Sequence, residues 1–325
     1  MRESLLFRGP GVSVARYEHV PAVPHRDPDR EEAAAHVVSF VERGSFRVHC
    51  GRRTWRLAPG ALFVTRPGFE YRCTHDSETP DDVCFSVIVA AELVEQIESA
   101  TASRWDRRVP VSPLTNRLAY LQRRLGAALR SDAASLAVPA IAGEVVAALV
   151  APAPAPGARL HGAGRIDWYA RRVDAAREVM ESRYAEPLTI AALSREAGIS
   201  PFHFCRVFRE LAGVPPHRYL VRLRLARAAA ALRRGESVTG ACFACGFQNL
   251  SHFVRAFRRA YGVTPGRLRR TPASASPARL HGHEQESASA SPRAGLVSRL
   301  RSVVNAETVD ALRLQDATRE NIQHI

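Results

Sequence analysis

Two arginines, Arg206 and Arg255, hold the same place in a phrase that the chain repeats after forty-nine residues. His203-Phe204-Cys205-Arg206-Val207-Phe208-Arg209 returns as His252-Phe253-Val254-Arg255-Ala256-Phe257-Arg258. A guanidinium is a planar fork of five donors that stays charged, so its chemistry is bidentate recognition of phosphate oxygens or of guanine O6 and N7. The echo runs on through Gly213, Val214 and Pro216, which recur as Gly262, Val263 and Pro265, and Gly198 and Gly246 precede the two copies. Repetition of this fidelity means that one small structural unit was built twice. Two copies make a paired device and not a solenoid.

The elements that position these arginines follow from spacing. Leu188, Ala191, Ala192 and Leu193 predict a short helix over about 190–197, which Gly198 breaks. Ser200 is placed to cap a second helix that starts at Pro201. Phe204, Val207, Phe208 and Leu211 then form its apolar stripe, and Gly213 ends it. Helix, tight turn, helix is the layout over about 190–212. The second copy, about 238–261, is alike. Val238, Ala241 and Cys242 lie on its first helix, Gly246 and Phe247 make the turn, Asn249 caps, and Phe253, Ala256 and Phe257 face the core. The outward face of the first copy carries Phe202, His203, Cys205, Arg206 and Arg209. That of the second carries Ser251, His252, Arg255, Arg258 and Arg259.

This pattern resembles the DNA-binding domain of the AraC/XylS family of bacterial transcription regulators. The resemblance covers 165–270, about a third of the chain. Its most specific stretch runs from Gly246-Phe247 through His252-Phe253, Arg255 and Phe257-Arg258 to Gly262-Val263-Thr264-Pro265. It implies a seven-helix domain in which one long helix, Pro216 to about Arg234, joins the two units. Tyr219, Leu220, Leu223, Leu225, Ala226 and Leu232 would supply its apolar contacts. Two positions depart from the family pattern, which usually has a bulky aliphatic residue and Ala at Ala241-Cys242 and often a polar residue at Cys205. Both bear on base preference and not on the fold.

Charge agrees. The chain is +14 overall and has no lysine, and 165–270 alone holds twenty arginines against eight acidic residues. A coding bias towards Arg would explain the missing lysine but not the local shortage of acids. A basic domain of this kind is the footprint of a polyanion binder. Each second helix would enter a major groove of double-stranded DNA, and two rigidly linked helices would reach successive grooves about 34 Å apart. The resemblance places base or backbone contacts at Arg206 and Arg255. Phe202 would pack on a thymine methyl. Ser200, Arg209, Asn249, Ser251, Arg258 and Arg259 read as phosphate contacts that set register. For any one Arg the alternative is a surface salt bridge. For His203 and His252, local capping or partial burial stands level with a DNA contact. Cys242 and Cys245 form a C-x-x-C without a second pair and read as packing residues.

The front of the chain is different. His36–Val41, Ser45–Cys50, Thr54–Leu57, Ala61–Thr65 and Cys84–Val89 are strand-like runs separated by Gly51-Arg52, Pro59-Gly60 and Pro67-Gly68 turns. Short strands at this spacing predict a sandwich or small barrel. Leu57-x-Pro59-Gly60-x-Leu62 resembles the cupin-like sensor barrel of many such regulators, which implies a small-molecule effector. Trp55, Phe63, Phe69, Tyr71 and Phe85 would line that barrel or pack its core. Residues 92–150 read helical, with Leu93, Ile97, Leu114, Leu118, Leu121, Leu125 and Leu129 at helical spacing. The resemblance implies a homodimer through these helices, whose other role would be to cover the barrel. The paired His-x-His of metal-holding cupins is absent: His36 and His49 stand apart, and His25 lies in a polar loop. Cys50, Cys73, His75 and Cys84 are a scattered soft-ligand set without zinc spacing.

The expected fold class is therefore α+β, an N-terminal cupin-like β-barrel with following helices and then an all-α double helix-turn-helix domain. The expected segments are a sensor barrel at 1–90, helices at 91–150, a Pro/Gly-rich linker at 151–164, the DNA-binding domain at 165–270 and a mostly disordered tail at 271–325. Leu296–Leu314 has the spacing for one marginal helix in that tail. No window is apolar enough to span a membrane and no secretory signal is present, and six cysteines without a dense framework suggest a reducing cytoplasm. The expected function is sequence-specific, effector-responsive transcription regulation, with RNA polymerase as a further partner, no catalytic residues and no cofactor or metal. The rival is a metal-dependent cupin enzyme fused to a DNA-binding domain, and a second rival is a nucleoid-type binder without sequence preference.

Overall fold

The computed structural model describes residues 1–20, 27–77, 80–105, 110–132, 134–151 and 160–270. His25, most of the Pro-rich linker and the whole 271–325 tail, where one marginal helix was expected, lie outside the described residues. Two compact units divide the chain, Met1–Asp167 and Trp168 onward.

The front unit contains two antiparallel sheets. One has the order β1-β2-β9-β4-β7-β10 and comprises Arg2–Gly9, Val12–Glu18, Val83–Val89, His36–Arg43, Ala61–Thr65 and Val111–Pro113. The other has the order β3-β8-β5-β6 and comprises Glu31–Glu32, Glu70–Thr74, Phe46–Cys50 and Arg53–Leu57. Alternation decides what each strand buries. Val41 and Cys84 of the first sheet meet Phe46, Val48 and Leu57 of the second, with Tyr17, Trp55, Phe63, Tyr71, Cys73 and Val111 packed around them. Burying one such apolar side chain stabilises the fold by about 1.5–3 kcal/mol. Phe85 is on the other face of its strand, its ring 6.3 Å from that of Phe40, so it does not line the space between the sheets.

Among the described residues three helices complete this unit: α1 (Ala91–Thr101), α2 (Asn116–Ala128) and α3 (Ala134–Val150). Leu93, Ile97, Leu118, Leu121 and Leu125 are all buried within it. α3 is apolar nearly all round, with Val138, Ile141, Val145, Val146 and Leu149 buried, as befits an internal helix. The stretch expected to be helical throughout also holds β10, which pairs with β7 through Val111–Phe63 and Pro113–Ala61. Three residues are too few for a period-2 signal, and only the edge of β7 makes them a strand.

The rear unit holds seven helices among the described residues. α4 (Ala163–Ser182) starts just before it. α5 (Ile190–Glu196), α6 (Pro201–Ala212), α7 (Pro216–Arg233), α8 (Val238–Ala244), α9 (Leu250–Tyr261) and α10 (Pro265–Arg270) follow. α7 is the joining helix. Its Leu225, Ala228, Ala229 and Leu232 are buried with Ala241, Cys242, Cys245, Phe247, Phe253 and Phe257 of the second unit. Ala226, expected among its apolar contacts, is exposed instead, because the buried face falls one residue away from it. No helix among the described residues is long and apolar enough to cross a membrane. An α+β chain with β-rich sheets in front and helix-turn-helix units behind agrees with the expected class. The sheets are two stacked layers that do not join into one hydrogen-bonded ring among the described residues.

Candidate nucleic-acid interface

Both helix-turn-helix units have the same dimensions. α5 and α8 are 7 residues long and α6 and α9 are 12. Each turn closes in the same way. Ile199 N–H donates to Ser194 C=O at 3.1 Å and Phe247 N–H to Cys242 C=O at 3.1 Å, spanning glycines at φ 64° and 78°. The second helices present one face to their own cores: Phe204, Val207, Phe208 and Leu211 in α6, and Phe253, Phe257 and Ala260 in α9.

The opposite faces hold the expected contact residues. Arg206, Arg209, Arg255, Arg258 and Arg259 are all exposed, and among the described residues none of them forms an ion pair. Two acids of this unit are paired with other arginines, Arg183–Glu186 at 2.6 Å and Arg234–Glu236 at 3.3 Å. α9 itself contains no acid. The surface-salt-bridge reading of these arginines therefore has no counterpart here. Phe202 is 84% exposed on the first turn of α6, an arrangement with no packing explanation within the unit. Its counterpart Ser251 is exposed as well.

Equivalent positions are not identical in setting. His203 is half-buried, its Nε2 3.0 Å from Tyr169 Oη of α4, whereas His252 is exposed. The level choice made for the two histidines thus divides: His203 is engaged within the unit and His252 faces outward. The caps differ too. Asn249 Oδ1 accepts from His252 N–H at 2.9 Å, while the Ser200 hydroxyl makes no cap bond. Asn249→Ala is expected to lower stability by about 1 kcal/mol, and Ser200→Ala by only a few tenths. Urea unfolding of the two variants, read by hydrogen exchange on rear-unit peptides, checks this; equal losses would contradict it.

Sequence reasoning passed over several residues. Arg267, Arg269 and Arg270 are exposed on α10, the short repeat of the start of α7. Their proximity to the Pro265 echo was the available signal. Phe243 is 54% exposed on α8, and Arg172 stacks on Trp168 at 3.4 Å from the ring centre. Cys242 and Cys245 are buried packing residues as expected, and burial pushes the Cys245 thiol up to about 11.

In the front unit the scattered thiol set does not assemble. Cys84 lies in the core cluster, its thiol pushed up to about 12 by burial and by the nearby Asp82 carboxylate, and Cys73 is raised still further. Neither is a thiolate at neutral pH, so neither has the reactivity that thiol sensing needs. His49 sits between Thr54 and Thr74 hydroxyls at 2.9 and 2.7 Å, and His36 packs edge-on against Trp105. His75 alone of that set joins a polar cluster, and its partners are His19, Asp27 and Asp82, which sequence reasoning missed.

Comparison with known proteins matches both units. The family model described as an AraC-like ligand binding domain matches residues 18–139, and that of a helix-turn-helix domain matches 193–271. The chain is 36% identical over 91 residues to the HTH-type transcriptional activator RhaS of Escherichia fergusonii, covering 28% of this chain and 33% of that protein. It is 38% identical over 94 residues to the HTH-type transcriptional regulator GlxA of Rhizobium meliloti, covering 29% of each. The matched part thus spans about a third of the length of these curated relatives. A solved probable AraC family transcriptional regulator from Rhodopseudomonas palustris is 33% identical, covers 30% of this chain and 94% of that one, and has a TM-score of 0.29. With a ligand-binding domain of AraC type in front and a helix-turn-helix domain built of two such units behind, this chain belongs to the AraC family of transcriptional regulators.

Proposed function

We propose that the chain is a sequence-specific DNA-binding transcription regulator that reads two successive major grooves with α6 and α9. The observation that carries this reading is the matched pair of outward faces, in which Arg206 and Arg255 recur at the same helical position with no ion-pair partner among the described residues. Arg206 and Arg255 read bases. Arg209, Arg258, Arg259, Ser200, Ser251 and Asn249 contact phosphates, Phe202 packs on a thymine methyl, and His252 reaches the DNA from the second unit. His203, engaged by Tyr169, positions α6 instead.

The front unit takes a small-molecule effector. An effector acts only through different affinities for the DNA-competent and DNA-incompetent states. RNA polymerase is the downstream partner, activation is the outcome, the cytoplasm is the compartment, and the chain does no catalysis of its own. A homodimer through the helices after the sheets would use faces other than Leu93, Ile97, Leu118, Leu121 and Leu125, which are already buried within one chain.

Selection of binding sites from random and genomic DNA with the full chain tests the reading. A motif of two half-sites about 10–10.5 bp apart is expected. Binding without any motif would reduce the chain to a non-specific binder. Arg206→Ala and Arg255→Ala are each expected to weaken the selected site by about 1–3 kcal/mol and to relax preference at one half-site. A uniform loss on selected and random DNA would show that these arginines hold phosphates only.

A further inference from the structure

One end of the space between the two front sheets is polar. His19 follows β2 and Asp82 precedes β9, both in the six-stranded sheet, while His75 follows β8 in the four-stranded sheet. Strand alternation puts them on inner faces: Tyr17 and His19, Cys73 and His75, and Asp82 and Cys84 are i, i+2 pairs whose other members surround the inter-sheet core. The side chains of His19, His75 and Asp82 are 7%, 5% and 8% exposed.

Their atoms converge. Asp82 Oδ1 lies 3.0 Å from His19 Nδ1 and 3.2 Å from His75 Nε2, and one ligand atom from each of the three residues falls within a 4.8 Å group. A tetrahedral ion with bonds of about 2.0–2.1 Å needs ligand atoms about 3.3 Å apart, close to the two separations from Asp82. Asp82 Oδ1 is fully buried, yet neither imidazole meets it at the angles of a hydrogen bond. Asp82 Oδ1 thus lies between the two imidazoles, within reach of one ligand atom of each.

A second layer holds them there. Asp27 grips His75 twice, with Oδ1 at 2.5 Å from the ring Nδ1 and Oδ2 accepting from the backbone N–H at 3.0 Å. That turns Nε2 inward, as a carboxylate does for a metal-binding histidine. His19 N–H donates to Asp82 C=O at 3.0 Å. Gly44, at φ 70° in the β4–β5 turn, leaves room for Asp82: a Cβ there would lie 2.5 Å from the Asp82 Cα.

The geometry points to a divalent transition-metal site, of zinc type, formed by His19, His75 and Asp82 with Asp27 as the orienting carboxylate. Two imidazoles and a carboxylate suit zinc or iron(II) better than calcium or magnesium, which take oxygen ligands. Burial of all three side chains leaves little access for a substrate, so the ion ties the ends of the two sheets together and does no chemistry. This departs from the expectation of no metal, and it stands independently of the DNA-binding reading.

The test is titration of the chelator-treated full chain with cobalt(II), followed by competition with zinc(II). One equivalent of cobalt is expected to bind with a visible d–d spectrum, zinc should displace it, and thermal stability should rise with either ion. His75→Gln and Asp82→Asn should each lose at least about 100-fold in affinity, Asp27→Asn about 10–100-fold, and His36→Gln nothing. Far-UV circular dichroism verifies that each variant folds. If His75→Gln does not fold, the comparison rests on Asp27→Asn, whose side chain is 29% exposed. No d–d spectrum, or cobalt bound equally by wild type, Asp82→Asn and Asp27→Asn, would overturn the proposal, the latter outcome placing the ion on surface histidines.

Discussion

Gly246→Ala should destabilise the rear unit by about 3–5 kcal/mol, whereas Gly198→Ala, at the same place in the first copy, should cost about 1–2. Both glycines sit in the left-handed region, at φ 78° and 64°, and both close the same kind of turn. An alanine pays the left-handed strain at either position. At Gly198 nothing lies within 4 Å of the added Cβ. At Gly246 the Cβ would come 2.6 Å from Ala185 C=O oxygen and 2.9 Å from its carbonyl carbon and Cα. Those are backbone atoms between α4 and α5, and they are pinned. Arg224 of α7 donates from Nε to Tyr184 C=O and from Nη2 to Glu186 C=O, each at 2.7 Å, on either side of Ala185. The connection cannot yield without losing both bonds, so the clash is relieved only by shifting α8 and α9. Hydrogen exchange on peptides from 168–270 under increasing urea isolates this unit from the front one. Equal losses at the two glycines would refute the asymmetry. A large loss at Gly246 alone would also predict weaker DNA binding, because α9 would no longer be held in register with α6.

The second large effect is electrostatic. Affinity for any duplex should fall by about 10³-fold or more between 50 and 200 mM salt, as for a protein with six to ten phosphate contacts. Exposed arginines on α6, α9 and α10 number enough for this: Arg206, Arg209, Arg255, Arg258, Arg259, Arg267, Arg269 and Arg270. The five on α6 and α9 form no ion pair among the described residues, so binding a phosphate breaks no internal bridge. Each arginine that neutralises a phosphate contributes about 0.9 to the slope of log affinity against log salt. Arg258→Ala should therefore lower that slope by about one and weaken selected and random DNA alike, while Arg255→Ala should weaken the selected site preferentially. Fluorescence anisotropy across a salt series reads both. A slope near zero would mean that these arginines do not face DNA.

The rear unit was legible because its information is local and stated twice. The apolar stripe of Phe204, Val207, Phe208 and Leu211, the glycine turn and the cap position each depend on neighbours within one or two helical turns, and the repeat gave an internal check. The exposed positions of Arg206 and Arg255 follow directly from that stripe. The difference between His203 and His252 was not legible, because Tyr169 belongs to a helix thirty-four residues earlier. Likewise Gly198 and Gly246 read alike, and only the approach of Ala185 separates them.

The front unit shows the opposite balance. Five of its strands between His36 and Val89 announce themselves by alternation and Pro-Gly turns, while β3 and β8 were overlooked, as were β1 and β2 despite the Gly9-Pro10-Gly11 turn between them, and β10 is a strand only because β7 offers it an edge. His19, Asp27, His75 and Asp82 span sixty-four residues of sequence without any regular spacing. Residue order settled the helices of the rear unit, the pairing of its two helix-turn-helix units and which arginines face outward, since those depend on periodicity within single helices. Which titratable groups meet, which glycine is closely approached and which histidine is engaged within the unit were settled by three-dimensional packing, because each depends on contacts between segments whose distance in space bears no relation to their distance along the chain.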